Sequence, residues 1–132
     1  LLIHCEPAVN LISAVMTPVQ FQETARGRFA YRATAPGGPD KPTVVLLHGW
    51  PESSACWEAV VERLTGFRCI RPDLRGMGDS ERTPDPAAYV KQALAQDVLT
   101  LLDALGVGWF MLVGHDWGGI VAQEMALAAP DR

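Results

Sequence analysis

Cysteine is scarce in this sequence, and so are the patterns that would give it a structural role. The three cysteines among 132 residues, Cys5, Cys56 and Cys69, are widely spaced and form no CxxC pair or Cys/His metal motif. We therefore expect free or buried thiols in a reducing compartment, and predict a cytoplasmic protein without a metal site.

Positive charge and long apolar runs are also scarce. The chain has 11 basic and 15 acidic side chains, a net charge of −4, and no basic cluster. Nucleic acid and anionic membrane surfaces are therefore not expected as partners. No apolar run approaches the roughly 18 residues that a membrane helix needs.

The N-terminal segment 1–16 is mildly apolar but lacks the charged start of a signal peptide, and it contains His4, Glu6 and Pro7. We expect it to be poorly structured or extraneous, with Met16 as a candidate natural start. Residues 17–132 then form the folded part.

Apolar periodicity divides the rest of the chain into alternating elements. The expected strands are 19–23, 28–34, 43–47, 67–70 and 109–113, and the expected helices are 55–64, 87–105 and 118–129. Strands that alternate with helices predict an α/β fold, with a mostly parallel sheet and flanking helices. The first two strands, joined at Arg26-Gly27, predict an antiparallel pair at its start. A Rossmann dinucleotide site is not favoured, because Gly76-Met77-Gly78 lacks a third glycine and does not open a helix.

The most informative motif is Gly-His-Asp-Trp-Gly-Gly at 114–119, directly after the last expected strand. It has the form of a nucleophile elbow, G-x-S-x-G, with Asp116 at the apex in place of serine. Gly114 and Gly118 leave room for a strained turn, and Gly119 is expected to let the following helix pack closely. An ordinary Asp/Gly turn is the alternative on these six residues alone.

Aspartate at the apex changes the reactions that are possible. With a reference pKa of about 3.9, the carboxyl is anionic at neutral pH and needs no base to become a nucleophile. It can open a strained ring or expel a halide at a saturated carbon and form an ester, which water then cleaves. Serine would form a stable ether instead. The motif therefore favours displacement at carbon over ordinary ester cleavage.

Two further segments follow strands in the same way as the 114–119 motif. His48-Gly49-Trp50-Pro51 follows the third expected strand, and a Gly-rich loop, 73–80, follows the fourth. The order and spacing of the three segments resemble the alpha/beta-hydrolase family, in its aspartate-nucleophile branch of epoxide hydrolases and haloalkane or haloacetate dehalogenases. The resemblance covers about residues 17–132. It implies the N-terminal half of an alpha/beta-hydrolase core domain, with the lid and C-terminal part absent.

The resemblance also implies roles for particular residues. Asp116 would be the nucleophile, and the backbone N–H groups of Trp50 and Trp117 would form the oxyanion hole, where one donor is typically worth on the order of 3 kcal/mol. The 73–80 loop would hold the edge of the site without taking part in the chemistry. The supporting turn residues would be His48, Gly49, Pro51, Gly114, His115, Gly118 and Gly119. Both histidines are expected to be scaffold residues rather than catalytic bases.

Two tryptophans help to distinguish epoxide hydrolases from dehalogenases within this branch. Trp117 stands where haloacetate dehalogenases typically have arginine, and Trp50 stands where haloalkane dehalogenases typically have asparagine or glutamate. Trp117 disfavours a haloacid substrate but suits either remaining chemistry, because its indole N–H could bind a halide or its ring could line an apolar pocket. Trp50 is more similar to the epoxide hydrolases, so epoxide hydrolysis to a diol is favoured. The expected partners are a small apolar electrophile and water, with no cofactor. The alternatives are a haloalkane or haloacid dehalogenase, and a non-catalytic protein of this fold that binds small apolar ligands.

The general base of this fold follows the nucleophile in chain order. The sequence ends 16 residues beyond Asp116, so we expect a piece of a longer enzyme that lacks the catalytic histidine and its acidic partner. Alone it should be inactive and at most alkylated once. An unpaired sheet edge and uncovered apolar faces should make it prone to aggregate.

Overall fold

The computed structural model describes residues 16–34 and 41–132 of the chain. The expectation for the N-terminal segment 1–16 therefore lies, apart from Met16, outside the described residues. No helix among the described residues is long and apolar enough to cross a bilayer.

The described residues contain a five-stranded mixed sheet in the order β1-β2-β4-β3-β5. Its strands are β1 (Gln20–Thr24), β2 (Gly27–Ala33), β3 (Thr43–Leu47), β4 (Arg68–Pro72) and β5 (Met111–Gly114). β1 and β2 form an antiparallel hairpin, β2 also pairs antiparallel with β4, and β3 runs parallel to both β4 and β5. The predicted mostly parallel sheet with an antiparallel start is confirmed.

β3 is the centre of the core because both of its faces are covered. Val45 and Leu47 point to one face, together with Ile70 of β4, and pack under the two longer helices. Val44 and Leu46 point to the opposite face, toward a short helix. A strand buried on both faces needs a continuous apolar run rather than an alternating one, which is the pattern of Thr43–Leu47.

Among the residues that the structure describes, three α-helices flank the sheet: α1 (Glu58–Val61), α2 (Lys91–Ala104) and α3 (Trp117–Ala128). The predicted helix 55–64 is wrong in length. Its first turn is the 3₁₀ turn Ser54–Trp57, and the amide of Ser54 donates to Asp73 Oδ1 at 2.7 Å. After Val61 the chain continues only in tight turns, in which the amides of Arg63 and Leu64 bond three residues back.

The predicted helix 87–105 is also divided. A 3₁₀ turn covers Pro86–Tyr89, and Val90 is extended, with φ −66° and ψ 149°, so that α2 begins at Lys91. The Tyr89 hydroxyl donates to the Thr83 carbonyl at 2.8 Å and holds the 3₁₀ turn against the preceding loop. Val90, one turn before Leu94 on the apolar face of this segment, is 51% exposed. On the same face Leu94, Val98, Leu101 and Leu102 are buried, and Leu105 is half-buried.

The last strand begins two residues later than predicted. Trp109 is 63% exposed and lies outside the sheet. The amide of Phe110 donates to the carbonyl of Arg132 at 3.1 Å instead of joining the ladder. The carboxyl ends of β3, β4 and β5 then meet at one edge of the sheet, where ligands bind in open α/β folds.

Candidate active site

Three loops lie at this edge of the sheet. The 48–51 turn leaves β3, Asp73 follows β4, and Asp116 lies two residues after the end of β5. The amide of Trp50 donates to Asp116 Oδ2 at 2.9 Å. The structure thus brings the first and last of the three sequence motifs into direct contact.

Asp116 sits in a backbone conformation that most residues avoid. Its φ of +51° and ψ of −118° make it the one non-glycine residue with a positive φ among those the structure describes. On one side the amide of His115 donates to the Leu47 carbonyl at 3.0 Å, and on the other the amide of Gly119 donates to the Asp116 carbonyl at 2.9 Å. Strain of this kind persists only where the surroundings hold it, and it is common at functional sites.

Small residues are needed where β3, β5 and α3 approach one another. A Cβ on Gly49 would lie 2.7 Å from Asp116 Cβ, and one on Gly118 would run into the carbonyls of Leu47 and His48. A Cβ on Gly119 would meet nothing closer than 3.6 Å. The close approach of α3 therefore depends on Gly118, not on Gly119 as the sequence suggested.

The electrostatics of the site favour a carboxylate. The hydrogen bond from the Trp50 amide, followed by that from the Trp117 amide, holds the pKa of Asp116 below its ordinary value, and a small desolvation effect opposes them. The positive charges of His115 and Lys91 act in the same direction as the amides. Because Asp116 is exposed to solvent, its negative charge is both stabilised and accessible.

His48 is fully buried and has both ring nitrogens engaged. Nε2 accepts a hydrogen bond from the Leu74 amide at 3.0 Å, and Nδ1 lies 2.8 Å from the Gly49 carbonyl. The acceptor role of Nε2 assigns the proton to Nδ1, which donates to Gly49. The ring ties the 48–51 turn to the loop after β4, and neither nitrogen is available to a substrate.

His115 lies on the other side of the apex and is exposed. Its backbone joins β5 to Leu47, and among the described residues its ring makes no hydrogen bond to Asp116. The two histidines of the site therefore contact its framework and not the carboxylate.

The loop after β4 is held together by Asp73, which is 3% exposed. Its two carboxylate oxygens accept hydrogen bonds from the amides of Ser54 at 2.7 Å and Asp79 at 2.9 Å. The Ser80 hydroxyl donates to the Asp73 carbonyl at 2.6 Å. These contacts fix the edge of the site and engage both oxygens of the Asp73 carboxylate.

Two partly exposed tryptophans adjoin Asp116: Trp50 through its amide, and Trp117 as the next residue in the chain. Trp50 is 63% and Trp117 is 36% exposed, and the Trp50–Pro51 peptide bond is cis. The ammonium of Lys91, at the start of α2, lies 3.0 Å from the centroid of the Trp117 ring. Sequence reasoning missed Lys91. The predicted helix began at residue 87, so the unfavourable position of a lysine at the first residue of α2 becomes visible only in the structure.

No group of three or more His, Cys, Asp or Glu side chains that could hold a metal ion occurs within 16–34 and 41–132. Cys56 is a free thiol exposed to solvent, and partial desolvation, followed by the charge of Glu52, raises its pKa to about 11.

Comparison with known proteins agrees with this geometry. Residues 42–132 match the family described as the alpha/beta hydrolase fold. Epoxide hydrolase 2 of Siraitia grosvenorii is 43% identical over 93 residues, which are 69% of this chain and 29% of that protein. Bifunctional epoxide hydrolase 2 of Sus scrofa is 39% identical over 93 residues, 69% of this chain and 17% of that protein. The chain thus spans less than a third of the length of these curated relatives.

Solved structures give the same result. An epoxide hydrolase from metagenomes of hot environments superposes with a TM-score of 0.80 at 34% identity, covering 86% of this chain and 38% of that chain. The crystal structure of an epoxide hydrolase from Vigna radiata superposes with a TM-score of 0.76 at 34% identity, covering 89% of this chain and 37% of the other.

Proposed function

The chain belongs to the alpha/beta hydrolase fold family, and from that premise we propose that Asp116 is the nucleophile of an epoxide-opening reaction. The observation that carries the proposal is the hydrogen bond of 2.9 Å from the Trp50 amide to Oδ2 of a strained, exposed aspartate. The names of the relatives support epoxide as the substrate class.

In the first step the carboxylate attacks one ring carbon of the epoxide. Because Oδ2 is already bonded to the Trp50 amide, Oδ1 is the oxygen that is free to attack. A C–O bond forms between Oδ1 and the substrate while the ring C–O bond breaks, and the electron pair goes to the ring oxygen. That oxygen then takes a proton from water or from a nearby acid, leaving a hydroxyalkyl ester on Asp116.

In the second step water attacks the carboxyl carbon of the ester. The negative charge then develops on Oδ2, the oxygen that the Trp50 amide already holds, and the Trp117 amide lies next to it in the chain. Donors placed in advance where charge develops lower the barrier without further reorganisation. One set of amides thus stabilises the free carboxylate and the tetrahedral intermediate.

The second step needs a base that the described residues do not supply. His48 is fully engaged with Leu74 and Gly49, and His115 makes no hydrogen bond to Asp116 in the described part of the chain. We therefore propose that the 132-residue chain forms the ester and retains it. It should be labelled once and show no multiple turnover.

Intact-mass spectrometry after incubation with styrene oxide tests this proposal. The expected result is one added epoxide mass on the wild-type chain and none on Asp116→Asn. Asp131→Asn, a change of the same chemistry at an exposed position, should be labelled like the wild type. Cys56→Ser in all three chains removes background labelling of this exposed thiol. Equal labelling of wild type and Asp116→Asn would refute the proposal.

The same experiment separates the alternatives. Labelling by 1-bromobutane with release of bromide, and none by styrene oxide, would indicate dehalogenase chemistry. Reversible binding of both compounds without a covalent mass would indicate a non-catalytic protein that binds small apolar ligands.

A further inference from the structure

Lys91 occupies a position on α2 that helix stability does not explain. It is the first residue of the helix, its N-cap Val90 makes no side-chain cap, and the first turn contains no acidic residue. The N-terminal end of a helix carries partial positive charge, so a lysine there is repelled rather than stabilised. A role outside the helix is the natural explanation.

The ammonium of Lys91 faces the site. It lies over the Trp117 ring, 3.0 Å from the centroid, so that the first residue of α2 contacts the first residue of α3. Burial lowers the pKa of Lys91, and the negative charge of Asp116 opposes this shift. An ammonium stacked on the face of a tryptophan is held by the electrostatic attraction of the ring.

Within the described ranges, the Lys91 ammonium makes no hydrogen bond and has no carboxylate within ion-pair distance. The adjacent Gln92 joins the same two helices through Glu124 Oε1 at 2.8 Å. A second contact therefore links α2 to α3 without Lys91. The contact that Lys91 itself makes is with the side chain of Trp117, which is 36% exposed and directly follows Asp116 in the chain.

We propose that Lys91 is a positioning residue that fixes the Trp117 ring as a rigid wall beside Asp116. A fixed wall limits the directions from which a substrate carbon can reach Oδ1 and raises the fraction of encounters with productive geometry. The meaning of this wall for catalysis rests on the proposed function, whereas the contact itself can be tested without any substrate.

The test uses the 132-residue chain labelled with 5-fluorotryptophan and observed by fluorine NMR, with Trp117→Phe to assign the Trp117 signal. In Lys91→Met, which keeps the length but removes the charge, the Trp117 signal should narrow and move toward its position in the urea-unfolded chain. Lys91→Arg should retain the wild-type signal. Lys41→Met, a matched change at the other lysine of the sequence, should leave it unchanged.

The remaining tryptophan signals report whether each variant is folded, and Lys91→Gln replaces Lys91→Met if they move. The proposal is overturned if the folded charge-removing variant keeps the wild-type width and position of the Trp117 signal, or if Lys91→Arg behaves like that variant.

A second measurement connects the contact to the chemistry. Labelling by styrene oxide should slow by about two- to fivefold in Lys91→Met, the range expected for an exposed cation–π contact, and recover in Lys91→Arg. If the wild-type chain is not labelled at all, the proposed function fails while the fluorine signals still decide the role of Lys91.

Discussion

The strand β3 with helix α2 and the strand β5 with helix α3 form two regions that differ sharply in burial, although the second region is no poorer in apolar residues. All five residues of β3 are buried, whereas β5 has two half-buried and two exposed residues. On the helices, α2 buries seven of its 14 residues and α3 buries three of its 12. Burial thus follows from having neighbours on both sides, and apolar sequence alone does not produce it.

The site lies on the boundary between these regions. The Trp50 donor belongs to the turn after β3, on the well-covered side, while Asp116 belongs to the turn between β5 and α3. Among the described strands β5 pairs with β3 only, and Ile120 and Leu127 of α3 are 46% and 79% exposed. The Trp50 donor and the Asp116 nucleophile therefore belong to regions that differ in burial. Substitutions in each region test whether the two regions also differ in stability.

The largest expected effect comes from the same substitution made in each region. Leu47→Ala removes a side chain that is 0% exposed in β3, and it should cost about 2–5 kcal/mol of unfolding free energy because a cavity remains. Leu127→Ala, at a residue that is 79% exposed in α3, should change it by less than about 0.5 kcal/mol. Urea unfolding followed by circular dichroism measures both. Equal costs would show that the two regions are equally packed.

Adjacent glycines give a smaller contrast at the boundary itself. Gly118→Ala places a methyl group against the carbonyls of Leu47 and His48, and it should cost about 1–3 kcal/mol and weaken labelling of Asp116. Gly119→Ala meets only ordinary contacts and should be neutral or stabilise the helix by about 0.5–1 kcal/mol. Unfolding curves and labelling rates of the two variants are the measurements. A harmless Gly118→Ala would contradict the close approach.

The smallest expected effect is on the pH dependence of Asp116 labelling. The folded-state pKa of Asp116 lies below its ordinary value of 3.8, so its contribution to stability is present above that value and is lost as pH falls through the folded pKa. At pH 4 an unperturbed carboxyl would have lost roughly two fifths of its charge, and labelling should therefore fall by less than this fraction between pH 7 and pH 4. Rates are corrected with Asp116→Asn. A fall of two fifths or more at pH 4 would show that the amides do not hold the carboxylate.

Much of the fold could be predicted from the sequence because the strongest signals are local. The apolar run of β3, the helical face from Leu94 to Leu102, and the turn at Gly27 each determine one element. The errors lie where distant contacts decide. The first turn of the helix predicted at 55–64 is tightened by Asp73, and the start of β5 is displaced by a hydrogen bond from Phe110 to Arg132.

The site could be predicted in part for the same reason. The motif residues are close in sequence, so the elbow and its facing turn were recognisable from spacing. The requirement for glycine at position 118 depends on the carbonyls of Leu47 and His48, and the contact of Lys91 with Trp117 joins two helices. Neither appears in a local pattern, since each needs the distance between elements.

The most direct test of the account locates the covalent bond. After labelling with styrene oxide, tryptic digestion yields a peptide from Gln92 to Arg132, and fragmentation by tandem mass spectrometry assigns the added mass to one residue. The account predicts that Asp116 carries it and that Asp97, Asp103 and Glu124 in the same peptide do not. The mass on any other residue, with Asp116 unmodified, would contradict the assignment of the nucleophile.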